Sequence, residues 1–104
     1  MDIGALEEIA SRLDGVRTHT RDGVLTCRYH GRLVARQLDD RHVVIRTSFE
    51  VRDLLVRQFP DTFSIPRRYA RHMMVVADLR DGDDGAIEDA VTEAWRLQQA
   101  YDGR

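Results

Sequence analysis

The chain contains no lysine and no asparagine; all 16 of its basic residues are arginine. Genomic base composition produces such a bias, and so does selection for planar, bidentate anion contacts, which a guanidinium makes better than an ammonium. Either way, the surface cations are guanidinium groups. A single cysteine, Cys27, excludes an internal disulfide and a four-cysteine zinc site, and agrees with a reducing compartment. No apolar run approaches the roughly 20 residues of a membrane-spanning helix, and Met1-Asp2-Ile3-Gly4 lacks the basic start and apolar stretch of a secretory signal. A soluble, cytoplasmic protein that engages no membrane is expected. Neither sign of charge dominates: 16 basic and 18 acidic residues leave a formal charge of -2, so any attraction to nucleic acid must be local. There is no Gly-x-Gly-x-x-Gly and no phosphate loop, which removes the commonest signature of nucleotide-dependent enzymes.

What is present is enough for one domain, residues 1–104, with apolar positions spread from Ile3 to Tyr101. Ile3, Leu6, Ile9, Ala10 and Leu13 recur at steps of three and four, so a first helix is predicted over residues 3–14, with Asp2 capping its start and Gly15 its end. Short β-prone runs follow. Val24–Tyr29 is preceded by Asp22-Gly23, Arg32–Leu38 by His30-Gly31, and His42–Thr47 by the turn Asp39-Asp40-Arg41, a pattern that reads as an antiparallel meander. With Leu25, Cys27, Tyr29, Leu33, Ala35, Val43 and Ile45 on the core face, Arg28, Arg36 and Arg46 stand on the other. The first hairpin admits two registers one residue apart, and only one of them keeps that alignment.

Thr47-Ser48-Phe49-Glu50 reads as a capping box opening a second helix, whose apolar stripe is Val51, Leu54 and Leu55 with Phe59 just beyond, and which Pro60 ends. Phe63-Ser64-Ile65 is a short edge strand, and Met73–Ala77 is the strongest β-run. Asp83 and Asp84 introduce a third helix carrying Ile87, Ala90, Val91, Ala94, Leu97 and Tyr101. Grouped strands rather than strict alternation predict an α+β fold, an α-β-β-β-α-β-β-α two-layer sandwich with a mainly antiparallel five-stranded sheet and helices packed on one face. Leu6, Ile9, Leu25, Tyr29, Ile45, Leu54, Val75, Val91 and Ala94 are its expected core.

No catalytic signature appears. Cys27 points inward in its strand and reads as an inert core thiol. Cys27 and His30, three apart on a strand, face opposite sides and cannot hold one ion together; His19, His42 and His72 have no ligand spacing. The run Asp78, Asp81, Asp83, Asp84 departs from the calcium-loop pattern at Gly85 and lacks the closing glutamate. No cofactor and no stoichiometric metal are therefore expected. One segment carries concentrated chemistry: Arg67, Arg68, Tyr69, Arg71 and His72 follow Ile65-Pro66, a loop able to hold phosphates with guanidinium forks beside an aromatic ring. Arginines paired to the chain's many acids, in a solvated turn, form the plainer reading of the same segment.

The segments Tyr29–Thr47, with its Gly31-Arg32 hairpin, Phe49–Tyr69, with Pro60, Phe63, Pro66 and Tyr69 in order, Met73–Leu79 and Ala86–Ala100, with Ala94-Trp95-Arg96, together resemble the MmcQ/YjbR family. Arg32 stands where that family has a lysine, and Met73 or Met74 where it has a tryptophan. The resemblance spans about three quarters of the chain and implies a bacterial protein with a fold similar to secretion chaperones, in a family often labelled DNA-binding. Two functions follow as expectations. One is a DNA-binding accessory protein, weak and salt-dependent, using Arg67, Arg68, Tyr69 and Arg71 with support from Arg32 and Arg46. The other is a protein-interaction or chaperone-like adaptor, dimeric and without catalytic activity.

Overall fold

A computed structural model describes residues 1–102 of the chain. The first helix, α1 (Ile3–Ser11), begins where the Asp2 carboxylate accepts a hydrogen bond from the Ala5 amide at 2.8 Å, satisfying one of the orphan donors of a helix start. Leu6 and Ala10 are its fully buried residues, with Ile3, Ile9 and Leu13 packed beside them. Glu8 and Arg12 pair on its exposed side.

Among the described residues six strands, rather than five, make the sheet. The additional strand is β1 (Val16–Arg21), which pairs with β2 (Val24–Tyr29) from Val16↔Tyr29 to Arg21↔Val24. Asp22-Gly23 is the two-residue turn between them, not merely a break before β2: its φ values of 53° and 77° are both positive, as a type I′ hairpin turn requires. His30-Gly31, at 48° and 83°, makes the same turn between β2 and β3 (Arg32–Gln37). The sheet continues through β4 (His42–Arg46), then β6 (Met74–Asp78), and ends at β5 (Phe63–Ser64), with every neighbouring pair antiparallel.

A β-bulge settles the register of the second hairpin. Cys27 pairs with Ala35 and Arg28 with Leu33, leaving Val34 as the extra residue. Val34 and Ala35 therefore both enter the core, and Leu33, expected there, turns to the opposite face with Arg28. Arg32 is carried the other way, opposite Tyr29 on the core side.

The second helix, α2 (Phe49–Gln58), is capped one residue later than its sequence suggests. Ser48, not Thr47, accepts from the Val51 amide at 3.1 Å, while Thr47 is buried and its amide donates to the Met73 carbonyl at 2.9 Å. Leu54 also departs from expectation, being 43% exposed. The inward stripe is Arg52, Leu55, Val56 and Phe59, an i, i+3, i+4, i+7 set in which an arginine holds the first position, so the apolar pattern alone selected the wrong rotation. The third helix, α3 (Asp84–Asp102), starts beside Asp83, whose carboxylate accepts from the Ala86 amide at 2.8 Å.

All three helices contribute to one apolar cluster on one face of the sheet. Its members include Leu6 and Ala10 from α1, Leu25, Cys27, Val34, Val43, Ile45, Phe63 and Val75 from the strands, and Ile87, Ala90, Val91 and Ala94 from α3. Leu55, Val56 and Phe59 of α2 close it from the side of β5 and β6. Among the described residues, no helix is long and apolar enough to cross a membrane.

Candidate functional site

Strand alternation directs every second residue away from the helices. Because Cys27 is in the core, Thr26 and Arg28 face outward, and the register then assigns Arg17, His19 and Arg21 of β1, Arg36 of β3, and Val44 and Arg46 of β4 to that outer face. The alignment expected for Arg28, Arg36 and Arg46 is thus present, and β1 adds Arg17 and Arg21 to it. Among the described residues, no carboxylate comes within ion-pair reach of Arg17, Arg21, Arg28, Arg36 or Arg46. Arg17, Arg21, Arg28 and Arg36 are exposed and Arg46 half-buried. Cationic side chains on a bare sheet keep it from pairing with other chains, but they do not need to lack counter-charges to do so.

The arginine loop lies at the end of the sheet where β4 finishes and β6 begins, since Arg46 pairs with Met74. Pro66 leads into a 3-10 turn, Arg67–Tyr69, closed by the Tyr69 amide donating to the Pro66 carbonyl at 2.8 Å. Arg67, Arg68 and Arg71 are exposed, with no carboxylate within ion-pair reach among the described residues. The Arg68 guanidinium sits 4.8 Å from the Tyr69 ring centroid, and the His72 ring meets that ring edge-on at 6.2 Å. Tyr69 is therefore part of a small cation–aromatic stack and not an isolated platform.

Arg52 shapes this loop, and it escaped the sequence reading. Its side chain is only 11% exposed, stacks at 4.9 Å over Phe49, and donates through one terminal nitrogen to the carbonyls of Ala70 and His72, each at 3.0 Å. A guanidinium fixed by burial and donating to both carbonyls holds the turn in one shape, because these acceptors lie outside the strand ladder. An arginine on the buried stripe of a helix is the available signal, legible only once the helix's rotation is known.

Arg32, expected to support the loop, is elsewhere. The bulge turns it to the core side, where it donates to the Gln98 carbonyl of α3 at 3.0 Å and lies 5.7 Å from the Tyr29 ring centroid and 5.8 Å from that of Tyr101. It fastens the C-terminal part of α3 to the sheet.

The remaining candidates resolve into structure. Burial pushes the Cys27 thiol up to about 11, with the Glu7 charge adding to it, so a thiolate nucleophile is disfavoured there. His30 lies in the β-turn while Cys27 is in the core, and among the described residues no three of His, Cys, Asp and Glu gather as metal ligands would. Asp78 of the acidic run is gripped by Arg41, at 3.2 Å and 2.5 Å, and accepts from the Arg80 amide at 3.0 Å. Arg41, then the backbone amides of Asp81 and Arg80, hold its carboxyl down at about 2 against the contrary effect of burial. This run is a structural clasp of the β6–α3 connection.

Comparison with known proteins finds no matching family model, no matching curated protein and no matching solved structure.

Proposed function

We propose that the chain is a nucleic-acid-binding accessory module, of the MmcQ/YjbR type its sequence resembles, which lays a phosphate backbone along the outer face of the sheet and the Arg67–Arg71 turn. The observation that carries this reading is the row of arginines on β1 to β4 without carboxylate partners among the described residues, continued at the β4–β6 end by Arg67, Arg68 and Arg71. Guanidinium groups already paired to acids would gain little from phosphate; these are available to release counterions from a polyanion. Reading of base edges is not part of the proposal, since contacts to phosphate position a partner without specifying its sequence.

Fluorescence anisotropy against labelled duplex and single-stranded DNA, across a salt series, tests it. Weak binding is expected, with a logarithmic salt slope of roughly -3 to -5 for three to five phosphate contacts. The change Arg67→Ala, Arg68→Ala, Arg71→Ala is expected to reduce that slope and most of the affinity, with the unfolding midpoint unaltered because exposed loop arginines seldom cost more than about half a kcal/mol. Absence of any shift at low salt would sink the reading. The open edge of β1 would then favour the adaptor alternative, in which a partner strand or a second copy adds to Val16–Arg21.

A further inference from the structure

A cavity of about 260 Å³ opens on the outer face over the β1–β2 hairpin. It is smaller than the roughly 300 to 1,000 Å³ of pockets that enclose drug-sized ligands, so it fits one compact group. Its polar walls are Arg17 and His19 from β1, Thr26 and Arg28 from β2, and His30 from the turn beyond. We propose that this cavity binds a phosphomonoester.

Arg17 and Arg28 are register partners, which places their side-chain roots about 4.5 to 5.5 Å apart on one face, and like charges so placed oppose folding. No carboxylate among the described residues relieves them. An anion seated between the two forks converts that repulsion into paired, charge-assisted hydrogen bonds. Next to them, His19 pairs in register with Thr26, adding a ring nitrogen and a hydroxyl to the same wall.

The His30 side of the cavity is built in advance. Its ring stacks on Tyr29, with centroids 4.0 Å apart and planes 14° from parallel. Gly15, at φ 79°, lets that stack approach the backbone: a Cβ there would lie 2.7 Å from the Tyr29 ring and 3.2 Å from His30 Nε2. The lining brings two arginines, a histidine and a threonine of β1 and β2 to one concavity, with His30 of the turn beyond them. A concave site also closes round a terminal group, whereas a diester must leave on both sides. Arg17 and Arg28 also belong to the arginine row of the nucleic-acid reading, but a terminal phosphate seated in the cavity does not require a strand to cross the sheet.

Isothermal titration with adenosine 5′-monophosphate, inorganic phosphate and adenosine, and with oligonucleotides bearing a 5′-phosphate or a 5′-hydroxyl, tests the site. Adenosine 5′-monophosphate is expected to bind at least about tenfold more tightly than adenosine, and Arg17→Ala with Arg28→Ala to lose about tenfold or more. Arg67→Ala, Arg68→Ala, Arg71→Ala is expected to leave that affinity within about twofold, since the loop is outside the cavity. A 5′-phosphate preference among oligonucleotides assigns the group to a strand end; binding of the monophosphate without that preference assigns it to a small phosphorylated metabolite, and either sustains the site. Equal binding of adenosine and its monophosphate, no binding of the monophosphate, or undiminished binding in the folded Arg17, Arg28 variant would overturn it. Salt-dependent binding of 5′-hydroxyl oligonucleotides surviving such a failure would leave the nucleic-acid reading standing alone.

Discussion

At the scale of single residues, the clearest electrostatic commitment is Asp78. Its carboxyl is depressed to about 2 from an ordinary 3.8, chiefly by the Arg41 hydrogen bonds, and its side chain is 18% exposed. A folded-state value below the unfolded one means that the stabilisation is complete above about pH 4 and is lost as pH falls toward 2. A shift of this size, discounted for partial exposure, corresponds to about 1 to 2 kcal/mol. The stability gap between the native protein and Asp78→Asn, measured by urea unfolding, is expected to be constant from pH 7 to 5 and to narrow steadily between 4 and 2. A gap that does not change down to pH 2 would show that Asp78 acts through shape and not charge.

Elements show where sequence reasoning succeeds and where it stops. The helices α1 and α3, the meander β2–β3–β4 and the edge strand β5 were legible because their apolar periodicity and turn residues agree. The strand β1 was not: Val16–Arg21 has no apolar alternation, only β-branched Val16, Thr18 and Thr20 alternating with Arg17, His19 and Arg21, and the Asp22-Gly23 turn was the signal that should have located it. Without β1, Arg17 and Arg21, two of the five arginines of the outer face, stayed hidden. The rotation of α2 was misjudged because Arg52 occupies a core-facing position by burying its stem and spending its head on loop carbonyls. Replacing it tests that role. Arg52→Met keeps the stem and removes the donors, so amide hydrogen exchange across residues 67–72 is expected to accelerate several-fold while exchange in β2 and β4 stays unchanged. Uniform acceleration throughout the sheet would instead make Arg52 a general core residue.

Over the whole molecule, the two layers divide the charge that the net value of -2 conceals. Around α1 and α3 the helical layer carries Glu7, Glu8, Asp84, Glu88, Asp89 and Glu93, and there Arg12 and Arg96 are both paired to helix carboxylates. The outer sheet face carries Arg17, Arg21, Arg28, Arg36 and Arg46 without such partners among the described residues. A face kept at odds with its own repulsion is a sign of selection for something other than stability. Relieving it should therefore stabilise the fold: Arg17→Gln with Arg28→Gln is expected to raise stability by a few tenths to about 1 kcal/mol at low salt. The gain is expected to vanish near 1 M salt, where the screening length falls to about 3 Å. Arg36→Gln is the contrast, because Arg36 pairs in register with Val44, a buried valine on the same face, and loses stem packing along with charge. Chemical denaturation of both variants at two salt concentrations separates the cases. A double variant less stable than the native chain at low salt would mean that Arg17 and Arg28 hold the hairpin together, and the face would then be explained by folding rather than by an anionic partner.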